Sequence, residues 1–418
     1  MNSGVMSPFF KSIPSFLQRH ERVLTLALFP ALAVLLFLRA PYALLHPQFW
    51  AEDATVFFDQ AARLGIFSLA QTHAGYLHGI PRLTAWMASG LPAAAAPWIY
   101  GWCAYLAALA ALLVIARSSV GGHRALGPVA ALAIAFVPHL SQEIFWTLTN
   151  VQWTVSAFLL VQLVADPPGT KAMTWLWTAF SFLAGATSPL SATLLPALLL
   201  RLWLVRNTRQ AWPLGAAVLS GLLQAVSVIA IGLGTRGALI PSVTVYLEII
   251  GRRIFIQGFL PAGFWPAASA HPVLVAVAGL SLLLLGIIFA RRQRPACLLL
   301  LAACALICMV SIARMAAATP KMLDPEFGGY GDRYFYPIRV SIILILLLLA
   351  FDGSRWPRRA AVVFLCLVPL AALPSFSAPP QPDREWGRYA ALIDAGTPVD
   401  IPINPYWFGV YHYRPPKK

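Results

Sequence analysis

Residues 272–290 read PVLVAVAGLSLLLLGIIFA, nineteen positions without a charge, and the next four are RRQR. At about 1.5 Å per helical residue, such a run nearly matches the roughly 30 Å hydrocarbon core of a bilayer. Lipid offers no partner to backbone N–H and C=O groups, so a run placed there must close its hydrogen bonds as a helix or in a barrel. Comparable runs lie near 23–45, 97–116, 125–141, 146–165, 172–188, 190–205, 212–234, 295–313, 338–351 and 360–376, divided by short clusters of Arg, Pro and Gly. They are continuous and rich in Leu and Ala, without the alternation that barrel strands need. The expected fold is an all-α polytopic membrane protein of about 11 transmembrane helices. Only 11% of the 418 residues are charged, against about 25% in a soluble domain, and no stretch reads as a separate soluble unit.

Charge orients the chain. With the N-terminus in the cytoplasm, the inner segments hold 15 basic and 3 acidic residues, and the outer ones 15 basic and 12 acidic. The short loops RRQR (291–294) and RWPRR (355–359) then obey the positive-inside rule. The net charge of +15 is therefore mostly topology, and no motif points to nucleic acid. The first span lacks a small-residue cleavage site and reads as a retained helix. The expected organisation is a membrane domain over 1–376, with outer loops at 46–96, 235–271 and 314–337, and an extracytoplasmic tail over 377–418. Cys103, Cys297, Cys304, Cys308 and Cys366 all fall within spans, where free cysteine behaves as a small hydrophobe.

Lipid rejects charge, so polar chemistry collects at one rim or in a water-filled cavity. The first outer loop carries FWAEDATVFF at 49–58, with Glu52 and Asp53 side by side. Phe57, Ala61 and Leu64 then share one side of a short interfacial helix that Gly65 stops. Asp53 as an N-cap, with Phe49 and Trp50 as interfacial anchors, accounts for one carboxylate. It does not account for Glu52, or for the loop's continuation through His73, Tyr76, His78 and Arg82 toward a second short helix started by Pro81. The turn between the third and fourth spans adds Glu143, Thr147, Asn150 and Gln152. That between the fifth and sixth adds Thr187, Ser188, Ser191 and Thr193. These groups either hydrogen-bond neighbouring helices or line a shared polar chamber, which their common level favours. The third outer loop ends in GGYGDRYFYP (328–337), where Arg333 and Tyr334 suit a phosphate or simply a lipid-headgroup belt. Arg252 and Arg253 offer a second cationic pair.

This arrangement resembles the GT-C superfamily of membrane glycosyltransferases, which use a sugar carried on a polyprenyl phosphate. The resemblance lies in the many spans, the acidic pair Glu52-Asp53 in a long first outer loop, and the segment Arg333-Tyr334-Phe335-Tyr336-Pro337 leading into a late span. The large soluble domain and the Trp-Trp-Asp-Tyr-Gly signature of oligosaccharyltransferase-type members are missing, which disfavours transfer to protein asparagine. The resemblance implies a transferase in the plasma (bacterial inner) membrane, acting outside the cytoplasm on a cell-envelope glycan or lipid acceptor. Asp53 is implied as the base and Arg333 as the phosphate contact, with Arg252 and Arg253 behind it. Glu52, Glu143 or His78 would orient the acceptor or support the base, and Arg82, Asn150 and Tyr334 would line the substrate site. No cofactor is assigned, and a divalent cation between Glu52 and Asp53 stays open.

A lipid-linked polysaccharide polymerase or ligase would use the same donors but depend on Arg252, Arg253 and Arg333 and not on Glu52 and Asp53. A transporter or flippase calls for midplane charges, interrupted helices and an internal repeat, which the sequence does not display.

Overall fold

The computed structural model describes residues 21–140, 144–167, 169–205, 208–231, 242–314, 329, 331–352, 354–376 and 379–415. Helix dominates, as the apolar runs require. Among the described residues, six helices are long and apolar enough to cross a membrane: Ala93–Ala116, Arg209–Ile231, Pro272–Phe289, Arg294–Ala313, Asp332–Phe351 and Arg355–Phe376. The first helix, Glu21–Arg39, runs for 19 residues, and three other apolar helices, Leu126–Ala135, Val151–Gln162 and Leu195–Leu204, are shorter. Their sequences show why. The run at 125–141 contains Pro138, and its helix stops at Ala135. The run from 146 turns helical only at Val151, because Trp146 adopts a left-handed φ of 63°. The run at 190–205 breaks into Leu190–Thr193 and Leu195–Leu204, the second piece restarting around Pro196 in its first turn.

The helix Tyr336–Phe351 forms the centre. Apart from Arg339 and Ser341 in its first turns it is apolar on every side, and a helix of that kind is stable only when surrounded. Every residue from Tyr336 to Ala350 is buried, and the helices Arg294–Arg314, Arg355–Ala372 and Val151–Gln162 pack around it. Peripheral helices differ. The apolar window of Pro272–Phe289 is 28% buried against 83% for the central one, so its outer side chains suit contact with lipid.

Two carboxylates fix the ends of the central helix. Asp332, fully buried, receives both guanidinium nitrogens of Arg339 at 2.5 and 3.0 Å and the backbone N–H of Leu140 at 2.7 Å. Arg339 also donates to the carbonyls of Arg253 and Pro138, so neither charge is left without a partner. At the other end, Asp352 accepts from the backbone N–H groups of Arg291, Arg292 and Gln293. It thereby supplies the negative charge that the following helix N-terminus favours.

Residues 379–415 form a helix, Trp386–Asp394, and an antiparallel hairpin, Val399–Pro402 with Val410–Tyr413. They lie on the first loop. The Asn404 carbonyl accepts from Ala51 N–H at 2.5 Å, the Trp386 indole N–H donates to the Ala93 carbonyl at 2.8 Å, and the Tyr411 hydroxyl donates to Asp59 at 3.1 Å. Phe49 meets the Trp386 ring edge-on at 4.4 Å, and Phe58 meets it at 5.6 Å.

Candidate active site

Asp53 does not cap its helix. It is the first residue of a wide π-helical segment, Asp53–Phe58, preceded by Glu52, whose side chain makes no capping bond. The Asp53 carboxylate turns the other way. One oxygen accepts the Thr149 N–H at 2.8 Å and the other the Trp50 N–H at 3.3 Å. A local signal offered a cap, but the N–H groups that won are three positions upstream and ninety-six positions downstream. The predicted helix does stop at Gly65, with a φ of 53°. Phe57 and Ala61 are buried as expected, whereas Leu64 is 41% exposed and lies off that face.

Burial carries Asp53 away from ordinary carboxylate behaviour. The group is 2% exposed, and desolvation pushes its pKa up to about 8. The two backbone donors pull the value down, and the neighbouring Glu52 pushes it further up. Glu52 is half-buried and accepts from the Thr149 hydroxyl at 3.3 Å. Thr149 thus holds both members of the pair, one through its backbone and one through its side chain.

Contacts continue from Thr149 to the aromatic–arginine segment. Asn150 accepts from the Trp153 indole at 3.3 Å and donates to Thr147 at 3.0 Å. Trp153 meets Tyr334 edge-on at 5.0 Å, and the Arg333 guanidinium lies over the Tyr334 ring at 5.2 Å. Glu52, Asp53, Asn150, Tyr334 and Arg333 therefore belong to one chain of contacts. Arg253 lies beyond Asp332. It is buried, bonds Gln257 at 3.3 Å, and burial lowers its pKa to about 10, with Asp332 acting in the opposite direction. Arg252 is half-buried, with its Nε enclosed. Both sit in the second π-helical segment of the described residues, Ile250–Ile256.

On the other side, the ring of Phe57 organises two more predicted residues. His78 meets it at 5.1 Å and its Nε2–H donates to the His73 carbonyl at 3.3 Å; burial drives its pKa down to about 3, so the ring is neutral. Arg82 covers the same ring at 5.1 Å, donates to Gln60 and Thr72, and is lowered to about 10 by burial. His73, lowered by burial, feels Glu52 as an opposing charge. Glu143 lies outside the described residues. The predicted polar junction at 187–193 serves the fold instead: Thr187 accepts the Ile80 N–H at 2.9 Å, and Ser191 donates to the Gly185 carbonyl at 2.8 Å.

Four described residues other than glycine have positive φ: Ala51, Ala74, Trp146 and Glu385. Three of these flank Glu52-Asp53, His73 and Thr147–Asn150. Such conformations cost about 1–3 kcal/mol each and persist where surrounding structure holds them. Sequence reasoning missed Thr149, which acts through its backbone; Gln60; and Tyr100, whose buried hydroxyl has no hydrogen-bond partner and which sits inside a run read as purely apolar. It also missed Asp332 and Arg339, although seven residues is close to two helical turns and marks one face. Among the described residues, no three His, Cys, Asp or Glu side chains gather closely enough to hold a metal ion. Compared with protein-family models, with curated proteins and with solved structures, the chain finds no match.

Proposed function

We propose that the protein is a membrane glycosyltransferase that moves a sugar from a polyprenyl phosphate to a glycan or lipid acceptor on the extracytoplasmic side of a bacterial inner membrane. In this reading the chain crosses about 11 times with its N-terminus in the cytoplasm. The observation that carries it is Asp53, a carboxyl group with a pKa near 8, fixed by two backbone donors and backed by a second carboxylate. A general base works best when its pKa lies close to the operating pH.

The step balances with these residues. In the ionised form of Asp53, about a tenth of the molecules at pH 7 for a pKa near 8, the acceptor hydroxyl gives its proton to the carboxylate as its oxygen bonds to the anomeric carbon, and the carbon–oxygen bond to phosphate breaks with its electron pair leaving on the polyprenyl phosphate. Glu52, the more exposed of the pair, meets the acceptor first and orients it. Arg333, with Arg252 and Arg253 behind it, balances charge on the departing phosphate. No protein acid is required for this leaving group.

The test uses the full chain in lipid discs with a panel of polyprenyl-phosphate sugars and follows release of polyprenyl phosphate. Wild-type release that falls by about 10²–10⁴ in a folded Asp53→Asn variant is the expected result. Release that depends on Arg252, Arg253 and Arg333 but survives Asp53→Asn would move the assignment to a polymerase or ligase. No release from any donor, with or without acceptors, would leave a transporter as the better reading.

A further inference from the structure

A groove of about 630 Å³ runs between the first loop and the tail, within the roughly 300–1,000 Å³ range of small-molecule sites. A second hollow of about 230 Å³ adjoins it, and His46 and Asp383 line both, so the two make one trough. The walls differ in chemistry. Tyr42, His46 and Trp98 form one side, with Tyr42 and Trp98 about half exposed and the Tyr42 and His46 rings stacked at 6.3 Å. Asp383, Glu385 and Arg388 come from the tail.

The charges narrow the ligand. Within a chain of net charge +15, this lining carries two carboxylates against one guanidinium, and Arg388 already reaches Glu385 at 3.5 Å. A phosphate or a lipid headgroup rich in phosphate is therefore repelled. Aromatic faces opposite carboxylates suit a neutral sugar, whose C–H face packs on a ring while its hydroxyls donate to the acids. Glu385 also holds a left-handed backbone, φ 54° and ψ 38°, which glycine would adopt without strain. The trough borders the candidate site: Trp386 in its lining packs on Phe49 and on Phe58, the last residue of the segment that Asp53 begins.

We infer that this trough binds a neutral saccharide. Its identity as the acceptor for Asp53 rests on the function proposed above; the binding itself does not.

The experiment places labelled full-length protein, in discs of zwitterionic lipid, on an array of neutral glucose, galactose, mannose and rhamnose oligosaccharides with uronic-acid counterparts. Binding to neutral members is expected, weakened about tenfold or more by Trp98→Ala and by Glu385→Gln. Glu385 has a 65% exposed side chain, so its variant folds even where Trp98→Ala does not. No binding to neutral sugars, preference for the uronic acids, or binding indifferent to both groove substitutions would overturn the inference. An aromatic membrane anchor at Trp98 gives that last result. Saccharide binding without donor turnover would instead overturn only the proposed transfer, and turnover without saccharide binding only the trough.

Discussion

Replacing Asp53 by Asn should remove activity while making the protein more stable, and the size of that gain should depend on pH. In the folded chain the carboxyl holds its proton up to about pH 8, whereas unfolded it ionises near pH 4. The folded state therefore binds more protons across that window. Its advantage is complete below pH 4 and is lost as pH rises toward 8. Near pH 7 the loss approaches about 4 kcal/mol. An asparagine cannot ionise in either state and escapes it. Against this, the amide NH2 must face either the Thr149 or the Trp50 N–H, both of which now find an oxygen, at a cost of about 1–3 kcal/mol. The protonated acid makes a similar mismatch, so part of that cost is common to both proteins. The expected net gain is on the order of 2–4 kcal/mol near pH 7, shrinking toward zero or below at pH 4. Thermal unfolding read by a thiol-reactive dye would follow it, because Cys304 and Cys308 are buried and become reactive on unfolding. A variant that melts lower than wild type by the same amount at every pH between 4 and 8 would refute the reasoning: Asp53 would then be ionised in the folded protein across that window, and burial would not have raised its pKa.

Other outcomes follow from the same geometry. Asp332→Ala should cost about 3–5 kcal/mol by leaving Arg339 buried without its partner, and adding Arg339→Met should recover a substantial part, measured as unfolding midpoints. His78 is the opposite case to Asp53: its lowered pKa means that the unfolded chain binds more protons, so this contribution is present above about pH 6.5 and is lost as pH falls toward 3. His78→Gln should flatten the acid limb of the stability profile. Glu385→Gly, which relieves a left-handed residue, should change stability by less than about 1 kcal/mol in either direction while weakening saccharide capture on the array.

Much of this molecule was legible without coordinates. Long uncharged runs force helices that bury their own backbone polarity, and that requirement is local, so the helical class and the helix at 272–290 follow from composition alone. The stop at Gly65 and the cluster of acids, histidines and arginine in the first loop were equally readable. Helix lengths were less so: a hydropathy window does not register that Trp146 turns left-handed or that Pro138 closes a helix early. A single charge also vanishes in such a window, and Arg339 was absorbed into an apolar span.

The role of Asp53 marks the boundary most clearly. Its type and neighbours can be read in order along the chain, and that reading offers a helix cap that leaves Glu52 unexplained and, through the family resemblance, a base. What decides its protonation is water excluded by residues far away in sequence, and a backbone N–H that Thr149 presents from another turn of the chain. The trough is likewise formed by 42–48, 94–98 and 380–388, segments separated by nearly the whole length of the protein. Sequence by itself determined which groups this protein possesses and that lipid would drive them to its rims. Desolvation and the convergence of distant backbone, which arise only when the helices have packed, decided which of those groups changed their chemistry.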